Sequence, residues 1–149
     1  MPNLIDRLKR EESLRLEIYD DATGKPFKKG DTLEGNLTVG YGCNVMKIDT
    51  GLADTLLDYG IQVARWDAYT VFLWSVFYKF PITVQEVFLD MLFQMGRSRF
   101  ATFQKMIAAA KAHDWVGVKR EMLDSEWARG KHKARAERLA ALLPTEATI

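Results

Sequence analysis

The sequence predicts an α+β fold: a small β-containing N-terminal lobe and a helical C-terminal lobe, joined by a long helix. Three observations lead there. The chain opens on a short stripe of apolar residues at helical spacing. Residues 14 to 45 alternate apolar and charged side chains around turn formers and β-branched runs. From Leu52 the periodicity becomes helical and stays so.

Each element follows in order. Leu4, Ile5 and Leu8 share a helix face, and Glu12 continues the row, so residues 3 to 12 read as an amphipathic helix. "LRLEIY" alternates, "DDATGKPFKKGD" is rich in turn formers, and "LTVGYG" (Leu37 to Gly42) has the branched residues of a strand. "GLADTLLDYGIQVARWDAYTVFLWSVF" reads as one long helix or as two broken near Gly60, ended by Pro81. Thr83, with Glu86 three positions on, resembles a capping box. Val84, Val87, Phe88, Met91, Leu92 and Met95 form the stripe of the helix that follows, with Gly96 as its natural stop. Further helices are expected over residues 102 to 112, 114 to 128 and 134 to 143. The expected organisation is a single domain over 1–149. Its β-containing lobe covers about 13–50 and its connecting helix region 52–80. Residues 82–149 form the helical lobe, packed with the N-terminal helix 3–12.

Composition narrows the function classes. Hydrophobic residues are 48% and charged residues 28%, the balance of a soluble globular chain able to bury its own core. A single cysteine, Cys43, rules out an internal disulfide. It reads as a small, partly buried side chain, since no histidine stands near it in sequence to activate a thiol. Two His and one Cys are too few soft ligands for a structural zinc, so no metal is expected. The net charge of +1 is not that of a nucleic-acid-binding polycation. The basic run "RGKHKARAER" reads first as a solvated loop and helix start. The most apolar stretch has 13 residues before Pro81, short of the ~20 a membrane-spanning helix needs, and reads as a core helix with no stable membrane insertion. "MPNLIDRLKREE" lacks the apolar core of an export signal.

"EESLRLEIYDD" carries the chemistry. Glu12 lies at a helix C-terminus and in phase with the apolar stripe, and both placements disfavour the charged form of a carboxylic acid. Asp21, nine positions on, lies in a polar turn that favours the ionised form. Two carboxyl groups pushed apart in this way suit glycoside hydrolysis. Glu11 and Asp20 read as their solvated neighbours.

"ESLRLEIYDD" followed by "LTVGYG", then "FQMG", Trp115, "SEWA" and "RAERL", resembles the T-even phage lysozyme family, glycoside hydrolase family 24. The resemblance spans most of the chain in the family's order. It implies a lysozyme-like fold and a muramidase that cleaves the β-1,4 bond between N-acetylmuramic acid and N-acetylglucosamine. It implies Glu12 as the acid, and Asp21 with Thr38 as the groups that position the attacking water. It implies Phe93, Gln94, Gly42 and Asn44 as substrate contacts, and Arg135 as the catalytic glutamate's partner. No cofactor is expected. The expected partner is bacterial peptidoglycan, with no nucleic acid, and the expected state is a monomer. The enzyme would collect in the host cytoplasm and reach the cell wall or periplasm through a holin-type pore. A virion-associated or prophage wall-penetrating lysozyme is an alternative. So is a catalytically silent lysozyme fold that binds glycan or protein.

The chain departs from the family in three places. Asp21 and Thr38 are separated by 17 positions, with "KPFKKGDTLEGN" between them where many members have a shorter hairpin. This insert reads as a tolerated surface loop beside the site. Cys43 stands where some members have His, and "ARGKHKA" replaces a Gln-Thr-Pro stretch. The Asn36-Leu37-Thr38 sequon has no bearing on a chain without an export signal.

Overall fold

A computed structural model describes residues 4–145. Among the described residues the fold is mixed, mainly helical, with one small antiparallel sheet. The chain divides into two compact units, Met1–Thr55 and Leu56–Ile149.

The first unit begins with α1 (Leu4–Glu12), which ends at Ser13, a non-glycine residue at positive φ (52°). Its sheet has β1 (Arg15–Asp20), β2 (Leu37–Gly40) and β3 (Cys43–Asn44) in the order β1-β2-β3. The register sets Tyr19 opposite Thr38, and Thr38 opposite Asn44. Arg15 braces the entry: its guanidinium lies 3.9 Å from the centre of the Tyr19 ring and donates to the Gly24 carbonyl at 2.8 Å. Leu4, Ile5 and Leu8 are exposed.

α2 (Thr50–Phe72) starts in the first unit and runs into the second, passing through Gly60 unbroken. It stops at Phe72 because Leu73 takes a positive φ (65°), which lies outside the helical region. The long apolar stretch is therefore divided. Phe72, Phe77 and Phe80 point inward, while Leu73, Trp74 and Tyr78 are exposed around the short α3 (Trp74–Phe77). Among the described residues, no helix is long and apolar enough to cross a membrane.

α4 (Ile82–Phe100) starts one residue before the expected Thr83, with Pro81 rather than Thr83 as its N-cap. Pro81's fixed φ suits the cap position, and its carbonyl takes the Val84 and Gln85 amides. The Gln85 side-chain amide also donates to the Phe80 carbonyl at 2.8 Å, tying down the turn before the helix. Gly96 (φ 73°, ψ 166°) leaves the helical region, so α4 is two helical stretches that meet at a break there, where the sequence placed a stop. α5 (Gln104–Lys111) follows, then α6 (Trp115–Leu123), capped by Asp114 accepting the Gly117 amide at 2.8 Å. The helix expected over 114 to 128 is split, because Ser125 stops α6 and caps α7 (Glu126–Arg129) through the Ala128 amide. α8 (Lys133–Leu142) closes the described chain.

The core of this second unit is aromatic. Phe72 stacks on Phe88 at 5.1 Å and meets Phe80 edge-on at 5.3 Å, with Phe77 and Phe100 around it. Val84, Val87, Met91 and Leu92 complete the α4 face, matching the expected stripe except for Met95, which is only partly buried. Truncating a ring as deep as Phe72 costs about 3–5 kcal/mol in comparable cores.

Candidate active site

The first unit holds five of the eight expected residues: Glu12, Asp21, Thr38, Gly42 and Asn44. Glu12 is the last residue of α1, and the positive φ at Ser13 turns the chain directly into the sheet. Its carboxylate lies against Gly42, where an added Cβ would stand 3.1 Å from Glu12 Oε2. Gly42 itself sits at φ +77°, so two constraints favour glycine there. Glu12 is exposed, not partly buried as its phase with the stripe predicted, because that stripe is itself exposed.

Asp21 follows β1 and is exposed. Asn36 holds it: the backbone N–H donates to Oδ1 at 2.6 Å and the side-chain amide to Oδ2 at 3.1 Å. Gly35 makes room for this, since a Cβ there would overlap Asp21 Oδ1. The Asn36 carbonyl in turn accepts the Asp21 amide at 3.0 Å and the Thr38 hydroxyl at 3.3 Å. One residue therefore organises both Asp21 and Thr38. Thr38 is 4% exposed and lies in the middle of the sheet. With its proton on Asn36, the Thr38 oxygen keeps lone pairs for a further donor, and so does the Asp21 carboxyl group.

Asp20 corrects the expectation of a solvated neighbour. It is 3% exposed, and its carboxylate accepts the backbone amides of Glu34 (2.7 Å), Gly35 (3.0 Å) and Ala22 (3.0 Å). The Glu34 amide, more than the others, holds its pKa below the ordinary carboxylate value; desolvation opposes this without cancelling it. Asp20 thus staples the end of the 25–36 insert beside β1. The insert is anchored at its return, where Asp20 and Asp21 take three consecutive amides, those of Glu34, Gly35 and Asn36.

Asn44 is exposed opposite Thr38, with its Oδ1 accepting the Met46 amide at 2.9 Å. Cys43 is exposed rather than partly buried, because β3 is a two-residue edge strand.

The second unit holds the remaining three residues. Phe93 is 47% exposed, with its ring edge over α2 at Gly60, where a Cβ would come within 2.5 Å of Phe93 Cε2. Gln94 is half-buried, its amide nitrogen 2.6 Å from His132 Nδ1. Arg135 Nε donates to Asp90 Oδ1 at 2.8 Å, joining α8 to α4. Arg129 pairs with Asp124 and Lys133 with Glu137 (3.9 Å), so three of the five Lys/Arg in the basic run have acidic partners inside this unit. That favours the solvated-surface reading of the run. A cleft lined by Phe103, Glu121, Glu126 and Trp127 contains none of the expected site residues. Among the described residues, no cluster of His, Cys, Asp and Glu could hold a metal.

Asn36, Gly35 and His132 were not singled out from the sequence. For Asn36 the available signal was its place two residues before Thr38, which sequence reading used only for the sequon. No protein-family model matches the chain, and no curated protein matches it either.

Proposed function

We propose that the chain is a peptidoglycan hydrolase of the muramidase type, with a lysozyme-like fold and a role in phage-type lysis of a bacterial host. The observation that carries this reading is the Asp21–Asn36–Thr38 constellation, set in the unit where Glu12 ends α1 against Gly42. These residues stand in the order and register of the motif that the sequence resembles.

Glu12 gives a proton to the glycosidic oxygen as the bond to the anomeric carbon breaks. Water attacks that carbon from the opposite face and passes its proton to Asp21, with Thr38 orienting it. One water is consumed, and a free reducing end of inverted configuration is released. No cofactor takes part in these steps. Phe93 offers an exposed apolar face to a sugar ring, Gln94 an amide to an acetamido group, and Gly42 and Asn44 further contacts. Arg135 is the proposed partner of the catalytic glutamate, and within its own unit it pairs with Asp90. The substrate is the peptidoglycan glycan strand, and the proposed route is from the host cytoplasm through a holin-type pore, as a monomer.

The burial of Thr38 favours a second reading. A hydroxyl this enclosed, bonded to its own strand's neighbour, suits a structural role and a silent glycan-binding module. Digesting purified peptidoglycan separates the two. The enzyme releases reducing ends, and NMR of the first products shows the inverted anomer. A silent module binds the sacculus and releases none, and anhydro-muramic ends would mean a transglycosylase.

A further inference from the structure

α4 and α8 are joined by two polar rungs. Asp90 and Gln94 lie four residues apart on α4, while His132 and Arg135 lie three apart where α8 begins. Arg135 Nε donates to Asp90 at 2.8 Å, and Gln94 Nε2 stands 2.6 Å from His132 Nδ1. With the amide nitrogen facing the ring, the Gln94 amide donates to Nδ1 in the tautomer that carries its proton on Nε2. The ring is seated in turn: it stacks on the buried Trp127 at 6.0 Å and 22°. Gln94 Oε1 is buried and meets no donor among the described residues. The bond to His132 is therefore the contact that decides which way the carboxamide points.

We propose that His132 is a positioning residue that fixes the Gln94 carboxamide for an N-acetylhexosamine ring stacked on Phe93. This rests on the muramidase reading given above. His132 touches no substrate. It acts through Gln94, and Trp127 holds its plane. Adjacent residues of α4 are thus fixed from two sides, Phe93 by the bare backbone at Gly60 and Gln94 by His132.

Two substitutions take the two functions of the ring apart. His132→Phe keeps a flat ring on Trp127 and removes the acceptor. His132→Asn removes the ring and returns an acceptor, Oδ1, to the place of Nδ1. On peptidoglycan, His132→Phe should lower kcat/KM about tenfold, as expected for one lost hydrogen bond. The loss should fall on KM, with kcat and the unfolding temperature unchanged, and His132→Asn should restore KM. In the NMR spectrum, the Gln94 side-chain amide protons should exchange slowly in wild type and His132→Asn, and quickly in His132→Phe. Wild-type KM in His132→Phe, or equal losses in both variants with a matching fall in unfolding temperature, overturns the proposal. A wild type that releases no reducing ends overturns the muramidase reading instead, and the amide-exchange comparison still decides whether His132 fixes Gln94.

Discussion

Asn36 holds the Asp21 carboxylate at both oxygens, through its backbone N–H at 2.6 Å and its side-chain amide at 3.1 Å. The same residue's carbonyl takes the Thr38 hydroxyl. Asp21 and Thr38 lie 17 positions apart, and this link joins the β1–β2 register in setting their spacing. Asn36→Ala keeps the backbone bonds and loses the side-chain donor. A hydrogen bond to an exposed charged group contributes about 1 kcal/mol, so kcat/KM on peptidoglycan should fall about five- to tenfold. The unfolding temperature should stay close to wild type. Reducing-end release and a thermal melt on one preparation check both.

Asp20 should make the first unit acid-sensitive. Its carboxylate is held below its ordinary pKa of 3.8, first by the Glu34 amide. A carboxylate with a depressed folded-state pKa gives stability that is fully present above its unfolded value. That stability is lost as pH falls through the lower folded value. The loss should therefore begin below about pH 4. Asp20→Asn removes the charge that the three amides face. It should destabilise the sheet at neutral pH and flatten this part of the acid dependence. Sheet amide exchange between pH 3 and 7 measures it, and Asp21→Asn, at an exposed site, should change it far less.

Gly60 lies in the interior of α2, where alanine normally raises helix stability by up to about 1 kcal/mol. Here the added methyl meets the Phe93 ring. Phe93 is half-exposed and can swing outward, so Gly60→Ala should leave the unfolding temperature equal or higher. Binding of N-acetylglucosamine oligomers should weaken several-fold, read by titration calorimetry. A clear loss of stability without a change in binding would assign Gly60 to packing alone.

Much of the architecture was legible because periodicity reports burial. The α4 stripe from Val84 to Leu92 was readable, and the strands β1 and β2 stand where alternation and branched residues put them, but the apolar Leu16 and Ile18 of β1 are exposed while Asp20 is buried. Boundaries set by a single backbone torsion were legible only in part. Leu73 ends α2 at positive φ with no residue-type signal, whereas the break inside α4 was marked by its glycine, Gly96. At the site, helix phase suggested Glu12, yet its face is exposed, so the choice of Glu12 over Glu11 rested on the motif register. Asp20 and Asp21 look alike in sequence. They differ because the insert returns its backbone amides to them, a pairing across 14 or more positions that local pattern does not encode. The Gln94–His132 bond, 38 positions apart, was hidden for the same reason.

The central claim is that Glu12, and not its neighbour Glu11, gives the proton that breaks the glycosidic bond. The most direct measurement is reducing-end release from purified peptidoglycan by wild type, Glu12→Gln and Glu11→Gln at equal folded concentration. The account predicts activity in wild type and Glu11→Gln, and a loss of at least about a hundredfold in Glu12→Gln, within the range general acid catalysis contributes. Full activity in Glu12→Gln, or no reducing ends from wild type, would contradict it.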